Sequence, residues 1–134
     1  MLEQVWFPIS ITLWIATLSS VSVLLAGVVI SYILARREFK GKWLAEVLVT
    51  LPLVLPPTVM GYLLVLLLGK NGTIGHLIFA LTGTRILFTW QAAVIAAFVV
   101  SLPLMVKTTT AAIEAVDREL EYAAYTLGRS ELET

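Results

Sequence analysis

Three long intervals of this 134-residue sequence contain no Asp, Glu, Lys or Arg: Ile9 to Ala35, Val47 to Gly69 and Ile86 to Val106. They hold 27, 23 and 21 residues. A helix crosses about 30 Å of hydrocarbon with roughly 20 apolar residues, so each interval is long enough to span a bilayer. Three buried helices of a soluble core are the alternative, but so short a chain has too little polar surface left to cover them. A secretory signal does not explain the first interval either. No basic segment precedes it, and its uncharged stretch exceeds the roughly 7–15 residues of a signal core. Composition agrees: charged residues make up 13% of the chain, about half the share in an ordinary soluble domain. The expected fold is all-α and polytopic. It is a single membrane domain with spans at about 9–35, 44–68 and 86–106 and an amphipathic segment over 114–134.

Where the charges fall sets the orientation. Nine basic and nine acidic side chains cancel, which leaves no electrostatic footprint for phosphate and excludes a basic-patch nucleic-acid binder. Arg36, Arg37, Lys40 and Lys42 crowd the link between the first two intervals, and short loops this rich in cations stay on the cytoplasmic side. The second link, Lys70 to Arg85, carries only those two cations and is expected outside, with the N-terminus also outside and the C-terminal segment inside. No Asp, Glu, His, Lys or Arg lies within the intervals, so the parts of a proton relay or voltage sensor are missing. Neither is there a phosphate-binding Gly-x-x-x-x-Gly-Lys-Ser/Thr loop, and any energy source is expected on another chain. Cysteine is absent and the single histidine, His76, lies outside the intervals. No metal, cofactor or catalytic residue is therefore assigned, and no enzyme activity.

The second interval carries Pro52, Pro56 and Pro57 within six positions. Each proline removes a backbone donor and costs about 3 kcal/mol or more inside a regular helix, so a broken helix is expected. Irregular backbone at membrane depth is tolerated where protein covers it or water reaches it, and in transporters it marks the substrate path. Pro52, Pro56, Pro57 and Gly61 are therefore pathway or hinge candidates. Small residues at intervals of four, Gly27-Ser31-Ala35 and Ala93-Ala97-Ser101, look like helix contact faces. In the second link, Gly75 and Gly83 bracket a short apolar run expected to lie in the interface as a helix.

Half of all charges fall in Lys107 to Thr134. Asp117 can cap a helix that starts at Arg118 and stops at Gly128, with Glu119 and Glu121 near its positive end. Leu120, Ala123, Ala124 and Leu127 then share one shallow apolar face suited to close docking. Glu121-Tyr122-Ala123-Ala124-Tyr125-Thr126-Leu127-Gly128 resembles the EAA loop of the membrane subunits of binding-protein-dependent ABC importers. The glutamate stands one residue further upstream than in the plain consensus, a variant familiar in the oxyanion branch. Leu51-Pro52-Leu53-Val54-Leu55-Pro56-Pro57 and Ser101-Leu102-Pro103-Leu104-Met105-Val106 are similar to the same branch, and the likeness extends over about residues 12–134.

The resemblance implies a partial type I importer permease (MetI-like) fold in a bacterial or archaeal inner membrane. Its implied partners are an ABC ATPase subunit that binds the ATP, a periplasmic oxyanion-binding protein and a second permease copy in a homodimer. The implied cargo is an oxyanion, molybdate first, with tungstate and sulfate as close alternatives. The ATPase-coupling residues it implies are Glu121, Ala123, Ala124, Leu127 and Gly128. Further membrane helices follow that glycine in the family, whereas this sequence has six residues after Gly128, so the resemblance implies a C-terminally shortened permease. A competing expectation from another class is a small three-span assembly or regulatory protein without transport activity.

Overall fold

A computed structural model describes residues 1–133. Six helices follow one another: α1 (Leu2–Arg36), α2 (Lys42–Val54), α3 (Pro57–Leu68), α4 (Thr73–Thr82), α5 (Trp90–Glu114) and α6 (Arg118–Thr126). No strand occurs among the described residues. By length and composition three stretches could cross a membrane, Leu2–Arg36, Pro57–Thr82 and Trp90–Glu114; the turn between α3 and α4 interrupts the middle one, and α3 continues the path of α2 instead. The chain is thus all-α and built for a bilayer.

The axis of the fold is the seam between α1 and α5. Ser19, Val23, Gly27, Ser31 and Ala35 recur every four residues and are the buried face of α1. Gly27 brings the backbones together: a Cβ added there would lie 2.6 Å from Cγ of Met105. One turn on, the fully buried Ser31 hydroxyl hydrogen-bonds the Gly27 carbonyl at 2.5 Å and the Val106 carbonyl at 3.3 Å. At the end of the helix the Arg36 guanidinium reaches the Ile113 carbonyl at 3.1 Å. Residue numbers rise together on both sides of the seam, so α1 and α5 run in the same direction. The second small-residue stripe is less enclosed. Ala93 and Ala97 are half-buried, and the exposed Ser101 shares a cavity with Ser19 and Val23 of α1, while Leu102, Met105 and Val106 make the close contacts at Gly27 and Ser31.

Two parallel helices require the chain between them to return. α2 begins beside the C-terminal half of α5, where Glu46 and Thr50 share a cavity with Lys107, Thr110 and Glu114. α3 ends beside the start of α5, where Leu68 shares one with Leu87 and Phe88. At 1.5 Å per residue the 13 residues of α2 and 12 of α3 together cover about 37 Å, matching the 25 residues of α5.

Two helix starts differ from the sequence expectations, and the expected break in the second interval is present. The first helix starts at Leu2, well before Ile9, with Glu3 in its first turn, where a carboxylate favours the helix dipole. The second interval is not one helix. Leu55 (ψ 141) and Pro56 (ψ 143) are extended, because a residue before proline is pushed out of the helical region. Pro57 then starts α3 at a position where its missing N–H costs nothing, and Pro52 lies inside α2. The third helix starts at Trp90, not Ile86, since Ile86 to Thr89 form a turn whose last residue caps α5, the Thr89 hydroxyl accepting from the Ala92 amide at 3.4 Å.

α4 is the short apolar helix expected between the glycines of the second link. It begins at Thr73, ahead of Gly75, and ends at Gly83 in the left-handed region (φ +70). A Cβ on Gly72 or Gly75 would collide with the Leu66 to Gly69 carbonyls, so the turn into α4 closes only with glycine.

These contacts set the cost of filling two glycines. Gly27→Val should destabilise the chain in detergent by about 1–3 kcal/mol through overpacking against Met105. Gly61→Ala, where an added Cβ meets nothing within 4 Å, should stabilise α3 by about 0.5–1 kcal/mol. Thermal unfolding followed by circular dichroism distinguishes the two, and equal effects would contradict this packing.

Candidate functional site

The ends of α1 and α5, the start of α2 and the whole of α6 gather at one end of the bundle. The chain reverses between α1 and α2 through Gly41 (φ +91), placing Arg36, Arg37, Lys40 and Lys42 in a basic cluster. Of these, Lys42 pairs with Glu38 at 3.3 Å, an exposed i,i+4 contact worth a few tenths of a kcal/mol.

Arg36 organises the rest. Its Nη2 lies 2.5 Å from Oε1 of Glu121, with side chains 12% and 26% exposed, and also donates to the Ile113 carbonyl in the last turn of α5. A cation is favoured there, because the last helical carbonyls have no intrahelical partner and carry the negative end of the dipole. Arg36 therefore joins the C-termini of two long helices to the first turn of α6. A second tie lies alongside, the Tyr32 hydroxyl donating to the Glu131 carboxylate. Tyr32, Arg36, Glu121, Tyr125 and Glu131 line a cavity of about 270 Å³ between α1 and α6.

The sequence sets the limits of α6 itself. The Asp117 carboxylate accepts from the Glu119 amide at 3.0 Å, capping the first turn. Glu119 and Glu121 occupy the dipole's positive end. At the other end Gly128 is left-handed (φ +81), and the Arg129 amide bonds back to the Ala124 carbonyl at 3.2 Å, closing the helix as C-terminal glycines do.

The candidate coupling residues divide between two faces. Glu121 turns inward to Arg36, and Ala124 is half-buried. Leu120 and Leu127 are 67% and 83% exposed, with Ala123 exposed between them. The result is an uncovered apolar strip on a helix held from behind by an ion pair. The proline segment lies elsewhere, midway along the bundle. Pro52 is half-buried, while Pro56, Pro57 and Gly61 are exposed, so the structure does not bring the pathway candidates near α6. His76 is exposed on α4, and no group of three potential metal ligands exists among the described residues.

Sequence reasoning treated Arg36 only as part of a basic loop. Its partner is 85 positions away, and the one available signal was a cation in the last turn of one helix with a carboxylate in the first turn of another. Arg36→Gln and Glu121→Gln should each loosen α6, raising hydrogen exchange of its amides roughly tenfold, about 1.4 kcal/mol. The double variant should exchange no faster than either single one; additive effects would show that the two side chains act independently.

Residues 27–134 match the family model described as binding-protein-dependent transport system inner membrane component. The chain is similar to the molybdenum transport system permease protein ModB of Escherichia coli (strain K12), 42% identical over 123 residues, covering 92% of this chain and 54% of that protein. It is 40% identical over 122 residues to ModB of Haemophilus influenzae, covering 91% of this chain and 53% of that one. Similarity extends to the probable sulfate transport system permease protein cysT of Mesostigma viride, 34% identical over 124 residues, 92% of this chain and 46% of that protein. The chain spans about half the length of the curated relatives it matches.

Proposed function

We propose, from the premise that this chain belongs to the family of binding-protein-dependent transport system inner membrane components, that it serves as the membrane-spanning permease part of an ATP-driven oxyanion importer. The observation that carries the reading is the exposed strip of Leu120, Ala123 and Leu127 on a helix anchored to two membrane helices through Arg36. In this reading an ABC ATPase binds the ATP in the cytoplasm and receives α6 in a surface cleft. A periplasmic binding protein delivers the anion on the other side, and a second copy of the permease completes the pathway.

A docked helix transmits work only if the two states of the transporter hold it differently. The flat, small-residue centre of α6 permits close approach, and its tie to α1 and α5 carries displacement of the helix to the membrane segments. Within the bilayer the second crossing runs through α2 and α3, with the Pro56 break supplying irregular backbone along the path. No cation lies in the three charge-free intervals, so along them the anion meets neutral dipoles and is not trapped. Molybdate is the proposed cargo because relatives named for molybdenum transport match at 42% and 40%. The sulfate relative makes sulfate the second candidate.

Two measurements test this reading. Ala123→Trp, installed in the full-length permease assembled with its ATPase, should lower substrate-stimulated ATP hydrolysis roughly tenfold, about 1.4 kcal/mol, while membrane insertion persists. Unchanged stimulation would remove α6 from the coupling role. In the second, cysteines at Lys40 and Tyr122 should react with an impermeant thiol reagent only from the cytoplasmic side and one at Asn71 only from the periplasmic side. Labelling of Lys40 and Asn71 from one side would end the three-crossing topology.

A further inference from the structure

The end of the bundle opposite Arg36 holds a second charged feature. From Val47 to Val106 the only charged side chains are Lys70 and Arg85. They come from different segments, Lys70 from the turn after α3 and Arg85 from the link before α5, yet both line one cavity of about 280 Å³ with Gly75, Phe79 and Phe88. Neither forms an ion pair or a side-chain hydrogen bond among the described residues. Two like charges sharing a cavity repel one another, and nothing in the surrounding sixty residues offsets them. The rest of the lining is apolar, with Phe79 40% and Phe88 92% exposed. Phe88 is also the one non-glycine residue with positive φ (+61) among those described.

We infer that Lys70 and Arg85 form a binding site for a tetrahedral oxyanion group, either the phosphate of an anionic lipid headgroup or a free oxyanion. A guanidinium fork and a mobile ammonium together match such a group, one by paired hydrogen bonds and the other as a point charge. Exposed Phe79 and Phe88 beside the cations place the site at headgroup depth, where the apolar side chains enter lipid and the cations stay in the polar layer. Binding removes the repulsion between the two cations. The headgroup outcome stands apart from the transport reading, since neither cation contributes to α6 or its anchor, and the free-oxyanion outcome rests on that reading.

The test uses the full chain in phosphatidylcholine nanodiscs. One arm adds phosphatidylglycerol and measures its retention on the protein by native mass spectrometry; the other adds tungstate and measures bound tungsten by equilibrium dialysis. Lys70→Gln/Arg85→Gln should weaken binding at least about tenfold, with Lys40→Gln as wild type. The single variants Lys70→Gln and Arg85→Gln, each on an exposed side chain, guard against loss of fold and should fall between. Loss in the lipid arm alone assigns the headgroup, loss in the tungstate arm alone assigns the free oxyanion, and loss in both assigns a site for either. Absence of binding by the wild type in both arms, or binding that the double variant leaves unchanged in both, overturns the inference.

Discussion

The close approach of α1 to α5 at Gly27 is the constraint from which the rest of the molecule is arranged. In lipid, apolar side chains gain little by leaving one apolar medium for another, so helices associate where small residues let their backbones touch. Gly27 and Ser31 supply that contact, and Ser31 adds a hydrogen bond across the seam to Val106. Once the two helices run in parallel, α2 and α3 must carry the chain back between them. All the loops rich in cations then collect at one end, and Lys70 and Arg85 collect at the other.

Arg36 converts that seam into a functional arrangement. It closes the end of α5 through Ile113 and takes the charge of Glu121, so α6 is fixed to the membrane helices by its inner face while Leu120, Ala123 and Leu127 stay uncovered. A half-buried ion pair contributes modestly to stability, and its larger effect is positional, because removing one partner leaves the other charged without compensation. The same residue thus belongs to the basic cluster between α1 and α2 and to the joint that holds α6. The proline break stands apart from this joint, so the two segments singled out in the sequence lie at separate depths of the fold.

The sequence by itself determined the all-α class, the three apolar stretches, the broken second segment and the limits of α6, because each follows from local chemistry. Absence of charge, missing proline donors, an aspartate cap and a left-handed glycine act within a few residues of where they are written. It also singled out Gly27, Ser31 and Ala35, since helical spacing alone puts them on one face. Only the tertiary structure decided which helix that face meets, that Glu121 points inward to Arg36, and that Lys70 and Arg85 share a cavity. Those outcomes depend on pairs of residues separated by many turns of chain. No local rule ranks one distant partner over another until the helices are packed.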